Sequence, residues 1–248
     1  MEELLKKLEN ELLGIVPAFR PLRPLAVGAE AALFLGEMHG MRVVAKYRYP
    51  KEYRVTELDV ELRRRRTIRE AKLLSRALES GVSVPAPLFV EEDSGVLVME
   101  YVEGPRLKEV LDELGPDVSK VFRRLGVYVG RLHEAGIVHG DLTTSNVIMT
   151  AGGPVLIDFG LGDFTREDEA RGVDLHLFLR ALESTHPMLA RSLFEELLEG
   201  YAEVRGVEAR REMEEKVREI RMRGRYVAER RRKTLKSVRS VWEGHEEE

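Results

Sequence analysis

Two carboxylates and one amide, set at fixed intervals around short apolar runs, limit what this chain can fold into more than any other feature. Asp141 stands in His139-Gly140-Asp141-Leu142-Thr143-Thr144-Ser145-Asn146, five residues before the asparagine. Asp158-Phe159-Gly160 begins 12 residues after Asn146, directly behind Val155-Leu156-Ile157. Asn146 is one of two asparagines in 248 residues that include no glutamine and no cysteine, so an amide kept at this point serves a need of its own. Phosphoryl transfer calls for such a set: a carboxylate beside the attacking oxygen, then an amide oxygen and a second carboxylate on Mg²⁺. A lone aspartate is usually a turn or cap residue. Three groups at this spacing are not accounted for that way.

With 43% hydrophobic residues, the chain can bury a core in one domain or two small lobes. Zero cysteines exclude disulfides and thiolate-based zinc or redox chemistry. No apolar run approaches the roughly 18 residues needed to span a bilayer. The leucines of the first 13 residues are interrupted by Glu and Lys, unlike a signal peptide, so the expectation is a soluble cytoplasmic protein without a membrane partner. A charged fraction of 34%, together with the scarcity of Asn, Gln and Cys, suits a thermophile that relies on surface ion pairs.

The periodicity predicts a helix over residues 2–13, then a proline-broken linker at Pro17, Pro21 and Pro24. Strands are expected over 31–37 and 41–47, a helix over 62–78, and strands over 88–91 and 95–101. A mainly helical half follows, with helices over 118–135, 173–182, 191–201 and 209–226, and short strands at 147–149 and 155–157. This divides the chain into an N-terminal extension (1–24), a β-rich lobe (25–103), a helical lobe (104–226) and a tail (227–248). The fold class is α+β, a minimal two-lobed kinase-like arrangement.

Lys46 ends Val43-Val44-Ala45-Lys46 on an expected strand, the position from which kinases hold the α- and β-phosphates. Glu70 on the next helix is its expected partner, with Glu61 as the fallback. The nucleotide-covering turn falls at Val27-Gly28-Ala29-Glu30-Ala31, where a single glycine replaces the usual glycine-rich loop. Glu100 and Val102, in Met99-Glu100-Tyr101-Val102, stand where kinases connect their lobes and bind adenine through the backbone. Asp141 is the expected catalytic carboxylate, and Asn146 and Asp158 the expected Mg²⁺ ligands.

Gly140 and Thr143 replace the arginine and lysine common at these positions in regulated protein kinases. No Ala-Pro-Glu follows, and about a dozen residues separate Gly160 from the next expected helix, too few for a peptide-docking platform. Asp174 is either a carboxylate reaching the catalytic-loop backbone or a plain helix-start residue. From Arg218 to Arg239, ten Lys/Arg stand against Glu219 and Glu229, a net charge of +8 in a chain of −4. Such one-signed clustering favours nucleic-acid phosphates over a merely solvated helix end, and points to Arg223, Arg225, Arg230, Arg231, Arg232, Lys233 and Lys236.

With those residues in place, the chain resembles the small atypical Ser/Thr kinase/ATPase of the KEOPS (EKC) complex in its archaeal form. The likeness runs from about Val27 to Arg225. It rests on Gly28-Ala29-Glu30-Ala31, the stretch from Lys51-Glu52-Tyr53-Arg54 to Glu70-Ala71, the Asp141 loop, and Ile157-Asp158-Phe159-Gly160-Leu161-Gly162. Gly172-Val173-Asp174-Leu175, Ser184-Thr185-His186-Pro187 and Arg223-Gly224-Arg225 extend it. The resemblance implies a kinase fold with a reduced C-lobe and ATP with Mg²⁺ as cofactors. It also implies work beside the threonylcarbamoyl-transferring subunit and a small companion subunit, on tRNA. Two other readings stand beside it: an aminoglycoside- or choline-type phosphotransferase, and a tRNA-binding pseudokinase scaffold. RIO-type kinases are structurally close, but Asp158-Phe159-Gly160 argues against them.

Overall fold

His39 and Gly40 both adopt left-handed backbone (φ 51° and 79°), which matches the twist of a two-residue hairpin turn. They join β2 (Ala32–Met38) to β3 (Met41–Tyr47). The computed structural model describes the backbone of residues 2–243 and the side chains of residues 2–223. The first sheet is antiparallel, in the order β1-β2-β3-β5-β4, with β1 at Arg20–Val27, β4 at Pro87–Glu91 and β5 at Val96–Glu100.

Strand alternation divides this sheet into two apolar faces. Laterally aligned Phe34, Ala45 and Val98 fall in one buried cluster, which α1 (Glu2–Ile15) covers with Leu8 and Leu12. On the other face Leu33, Lys46 and Leu97 align, as do Leu35, Val44 and Met99. Leu97 and Met99 belong to the larger core, shared with α2 (Thr56–Glu79) and with the second lobe.

Three expectations are corrected here. The proline-rich stretch is not a linker. Pro21 and Pro24 lie in β1, so the expected boundary at 24/25 falls inside a strand. Prolines are tolerated there because β1 is an edge strand, paired only with β2, with register shifts beside both prolines. Helix α2 starts at Thr56 rather than near 62, because its buried face includes Asp59, Arg63 and Thr67, which apolar periodicity does not register.

The C-lobe consists of α3 (Leu107–Val110), α4 (Val118–Glu134), β6 (Ile137–Val138), the β7–β8 hairpin (Val147–Thr150, Gly153–Leu156), β9 (Asp163–Phe164), α5 (Asp168–Thr185) and α6 (Ala190–Glu243). Helix α5 begins at Asp168, earlier than expected, because its first turn is acidic rather than apolar and suits the helix dipole. Gly206 (φ 85°, ψ 164°) breaks α6 between the two helices expected from the sequence, and helical backbone then crosses the expected 226/227 boundary.

Because Leu12 is fully buried against the sheet, Leu12→Ala should cost about 2–5 kcal/mol in urea unfolding. Leu4→Ala, at an exposed position of the same helix, should cost under about 0.5 kcal/mol. Equal small losses would mean that α1 is not part of the lobe.

Candidate active site

The pleat of β3 places Lys46 on the cleft face between Leu33 of β2 and Leu97 of β5. Its Nζ lies 2.8 Å from Glu70 Oε1 and 2.7 Å from Asp158 Oδ1. Glu70 belongs to α2 and Asp158 to the C-lobe, so one ammonium joins groups 24 and 112 residues away in sequence. Glu61, the fallback partner, is exposed and faces Arg65 along its own helix.

A second cation, not anticipated from the sequence, completes this cluster. Arg48 donates through Nη2 to Glu70 Oε2 and through Nη1 to Thr67 Oγ1 at 3.2 Å. Glu70 is 1% exposed, Arg48 3% and Lys46 9%, so this is a buried network in which removing one partner costs about 3–5 kcal/mol. Its signal was present: residues 46 and 48 of an extended segment share a face. Burial opposes charge on Lys46, but the Glu70 and Asp158 carboxylates outweigh it and hold the ammonium above its ordinary range. Burial likewise works against Asp158 ionisation, and Lys46 more than offsets it, leaving this carboxyl below its ordinary range.

The residues of the Asp141 loop are held by their backbone. Asp174 of α5 accepts the N–H groups of His139 and Gly140 at 2.5 and 2.7 Å, which decides between the two readings of that residue. The His139 ring lies 4.5 Å from that of Phe159, donates from Nε2 to the Ile157 carbonyl at 3.1 Å and accepts the Asp141 N–H at Nδ1. Gly140 has φ +78°, and a Cβ there would strike the Leu161 carbonyl. An arginine does not fit this backbone. Asn146 Nδ2 donates to both the carbonyl and Oδ2 of Asp141, each at 2.9 Å.

The Ile157 N–H donates to the Asn146 carbonyl at 2.9 Å, so Asn146 and Asp158 are carried by adjoining ends of the β7–β8 hairpin. With the Asn146 nitrogen directed at Asp141, its amide oxygen and the half-exposed Asp158 carboxylate are the two hard oxygen donors these adjoining ends carry. Among the described residues no cluster of three or more His, Cys, Asp or Glu could hold a metal. Two protein oxygens fit Mg²⁺, which keeps waters and takes phosphate oxygens.

The turn at residues 27–31 joins β1 to β2, next to Leu33, the β2 residue paired with Lys46. Val27 pairs with Ala32, and the Gly28 N–H donates to the Ala31 carbonyl at 2.9 Å. Ala29 is exposed beside them. Glu30 is engaged elsewhere, accepting from Arg54 at 2.9 Å and from Arg66 of α2 at 2.7 Å, which ties the turn to that helix. Glu100 ends β5 with its N–H on the Ala86 carbonyl, and Val102 follows in the connection to the second lobe. Arg223 donates to Glu169 at 2.6 Å, an exposed pair between α6 and α5. The side chains of Arg225, Arg230, Arg231, Arg232, Lys233 and Lys236 lie outside the described residues.

The RIO domain family matches residues 40–170. The chain is 51% identical over 206 residues to the KEOPS complex subunit Bud32 of Pyrococcus abyssi, covering 80% of this chain and 94% of that one. It is 41% identical to a probable serine/threonine-protein kinase Bud32 homolog of Archaeoglobus fulgidus (81% and 95%). A probable bifunctional tRNA threonylcarbamoyladenosine biosynthesis protein of Methanothermobacter thermautotrophicus is 44% identical, matched over 82% of this chain but 36% of its own length. Among solved structures, the Rio2 kinase of Chaetomium thermophilum, in its ADP/Mg²⁺-phosphoaspartate complex, has a TM-score of 0.59 at 18% identity, covering 85% of this chain and 74% of that one. This likeness places the fold with kinases. The RIO match also corrects one expectation: Asp158-Phe159-Gly160 does not set the chain apart from RIO-type proteins.

Asp158 is held below its ordinary 3.8 and Lys46 above its ordinary 10.5, so the stability their pair contributes is complete between those values. It is lost as acid protonates Asp158 and as base deprotonates Lys46. Wild type should therefore melt above Asp158→Asn by a constant margin from about pH 5 to 9, and that margin should shrink below about pH 4. A margin that persists in acid would contradict the pairing.

Proposed function

We propose that this chain, which belongs to the Bud32 family of RIO-domain proteins, is a Mg-ATP-dependent atypical Ser/Thr kinase/ATPase serving tRNA threonylcarbamoyladenosine modification within a KEOPS-type complex. The observation that carries this reading is the convergence of Lys46 on Glu70 and Asp158, at 2.8 and 2.7 Å, across the two lobes. Lys46 donates to the α- and β-phosphates, and Glu70 keeps its ammonium aimed. The backbone of Glu100 and Val102 would hold the adenine, and the turn at Val27, Gly28, Ala29, Glu30 and Ala31 would cover the nucleotide. Asn146 and Asp158 would hold Mg²⁺, whose charge would offset that of the phosphates. Asp141, steadied by Asn146 through Oδ2, orients or deprotonates the attacking hydroxyl or water.

Only residues 161–167 separate the Asp158 triplet from α5, which leaves no room for a peptide platform and favours a partner-coupled ATPase over a general protein kinase. The transferase subunit as partner is supported by the bifunctional relative, of which this chain matches a part. The small companion subunit and tRNA follow from the family resemblance, and the +8 segment supports the latter. Among the described residues no helix is long and apolar enough to cross a membrane; the cytoplasmic setting is part of the proposal. A small-molecule phosphotransferase is not favoured, since the relatives carry KEOPS and tRNA-modification names. Nor is a pseudokinase, given that Lys46, Glu70, Asp141, Asn146 and Asp158 are all present and engaged.

Asp158→Ala should lower tRNA-stimulated Mg-ATP hydrolysis by roughly a hundredfold or more; turnover close to wild type would end this assignment. Removing residues 226–248 should weaken tRNA binding and flatten the dependence of its logarithm on log salt, by loss of counterion release. An unchanged slope would refute the tail's role.

A further inference from the structure

We infer that Arg48 is a positioning residue that locks α2 and Glu70 in the assembled arrangement, so that the site needs no switch to bring Glu70 to Lys46. Its guanidinium meets two side chains of α2 one turn apart, Thr67 and Glu70. Two contacts on one helix fix its rotation as well as its distance from β3. A single lysine-to-glutamate bond fixes only the distance. The arginine is itself anchored: its N–H donates to the Gly95 carbonyl at 3.0 Å, and its own carbonyl accepts from Arg63 of α2 at 3.5 Å. Arg63 in turn pairs with Asp59 at 2.7 Å and reaches the Ser94 carbonyl at 2.9 Å.

An outward swing of α2 would leave a guanidinium that is 3% exposed without its carboxylate. Buried charge without a counter-ion is strongly disfavoured, so the swung-out state is suppressed. An exposed pair adds a weaker tether, where Arg69 of α2 faces Asp163 of β9 at 3.5 Å. The same division of charge matters for Lys46. Glu70 gives one oxygen to each cation, so the ammonium does not carry the whole carboxylate and stays available to the neighbouring Asp158 side of the cleft.

This inference rests on the nucleotide role of Lys46, and its test separates the two. Kinetics of Mg-ATP hydrolysis in the tRNA-supplemented complex would compare wild type, Arg48→Met, Arg48→Lys, Glu70→Gln and the double variant Arg48→Met/Glu70→Gln. Arg48→Met should raise KM for ATP about tenfold, with kcat altered less than about threefold. Arg48→Lys, which keeps the charge but not the fork to Thr67, should recover part of that loss. In the Glu70→Gln background, Arg48→Met should add little, because both act through one contact. Full additivity, or an Arg48→Met enzyme within twofold of wild type, overturns the inference. Amide exchange gives a readout independent of turnover: residues 66–74 of α2 should exchange faster in Arg48→Met than in wild type. Unchanged protection there overturns the lock even if no variant hydrolyses ATP, whereas an inactive wild type with faster α2 exchange in Arg48→Met removes the nucleotide reading and leaves the lock standing.

Discussion

A carboxylate group that is 1% exposed needs partners for both oxygens, and Glu70 has two: the ammonium of Lys46 and the guanidinium of Arg48. The rest of the molecule follows from satisfying that charge. The alternation of β3 has to direct Lys46 into the cleft, α2 has to present Glu70 and Thr67 together, and the sheet has to bury its other face against α1. Lys46 then extends the network to Asp158, which makes one electrostatic unit of groups from both lobes.

The Asp141 loop is built on a different logic. Its backbone N–H groups are satisfied by Asp174, and its asparagine nitrogen by Asp141, so the loop is shaped by internal hydrogen bonds rather than by a phosphorylated segment. Gly140 illustrates the consequence. The left-handed backbone and the nearby Leu161 carbonyl demand glycine where regulated kinases carry arginine. A loop fixed in this way and an α2 held by buried charge leave the Lys46–Glu70 pair assembled without a phosphorylated segment.

Much of this was legible in the sequence, for physical reasons. The spacing of Asp141, Asn146 and Asp158 is read directly from the sequence and does not depend on where helices begin or end. The Val-Val-Ala run before Lys46 reads as a strand because it is buried on both faces of a covered sheet. What stayed hidden involved charge inside the protein. Asp59, Arg63 and Arg48 look like surface residues by composition, yet they pair with one another or with backbone in the interior, so α2 began earlier than apolar periodicity allowed. The prolines of β1 misled in a similar way. They end helices, but at a sheet edge they cost no ladder bond.

The central claim is that Lys46, Asn146 and Asp158 form one nucleotide–metal site between the lobes. Crystals soaked with Mn²⁺ and ADP test it most directly, since the anomalous signal locates the metal without reference to any activity. The account predicts manganese bound by Asn146 and Asp158, with Lys46 turned onto the diphosphate. Nucleotide bound elsewhere, or manganese distant from both side chains, would contradict it.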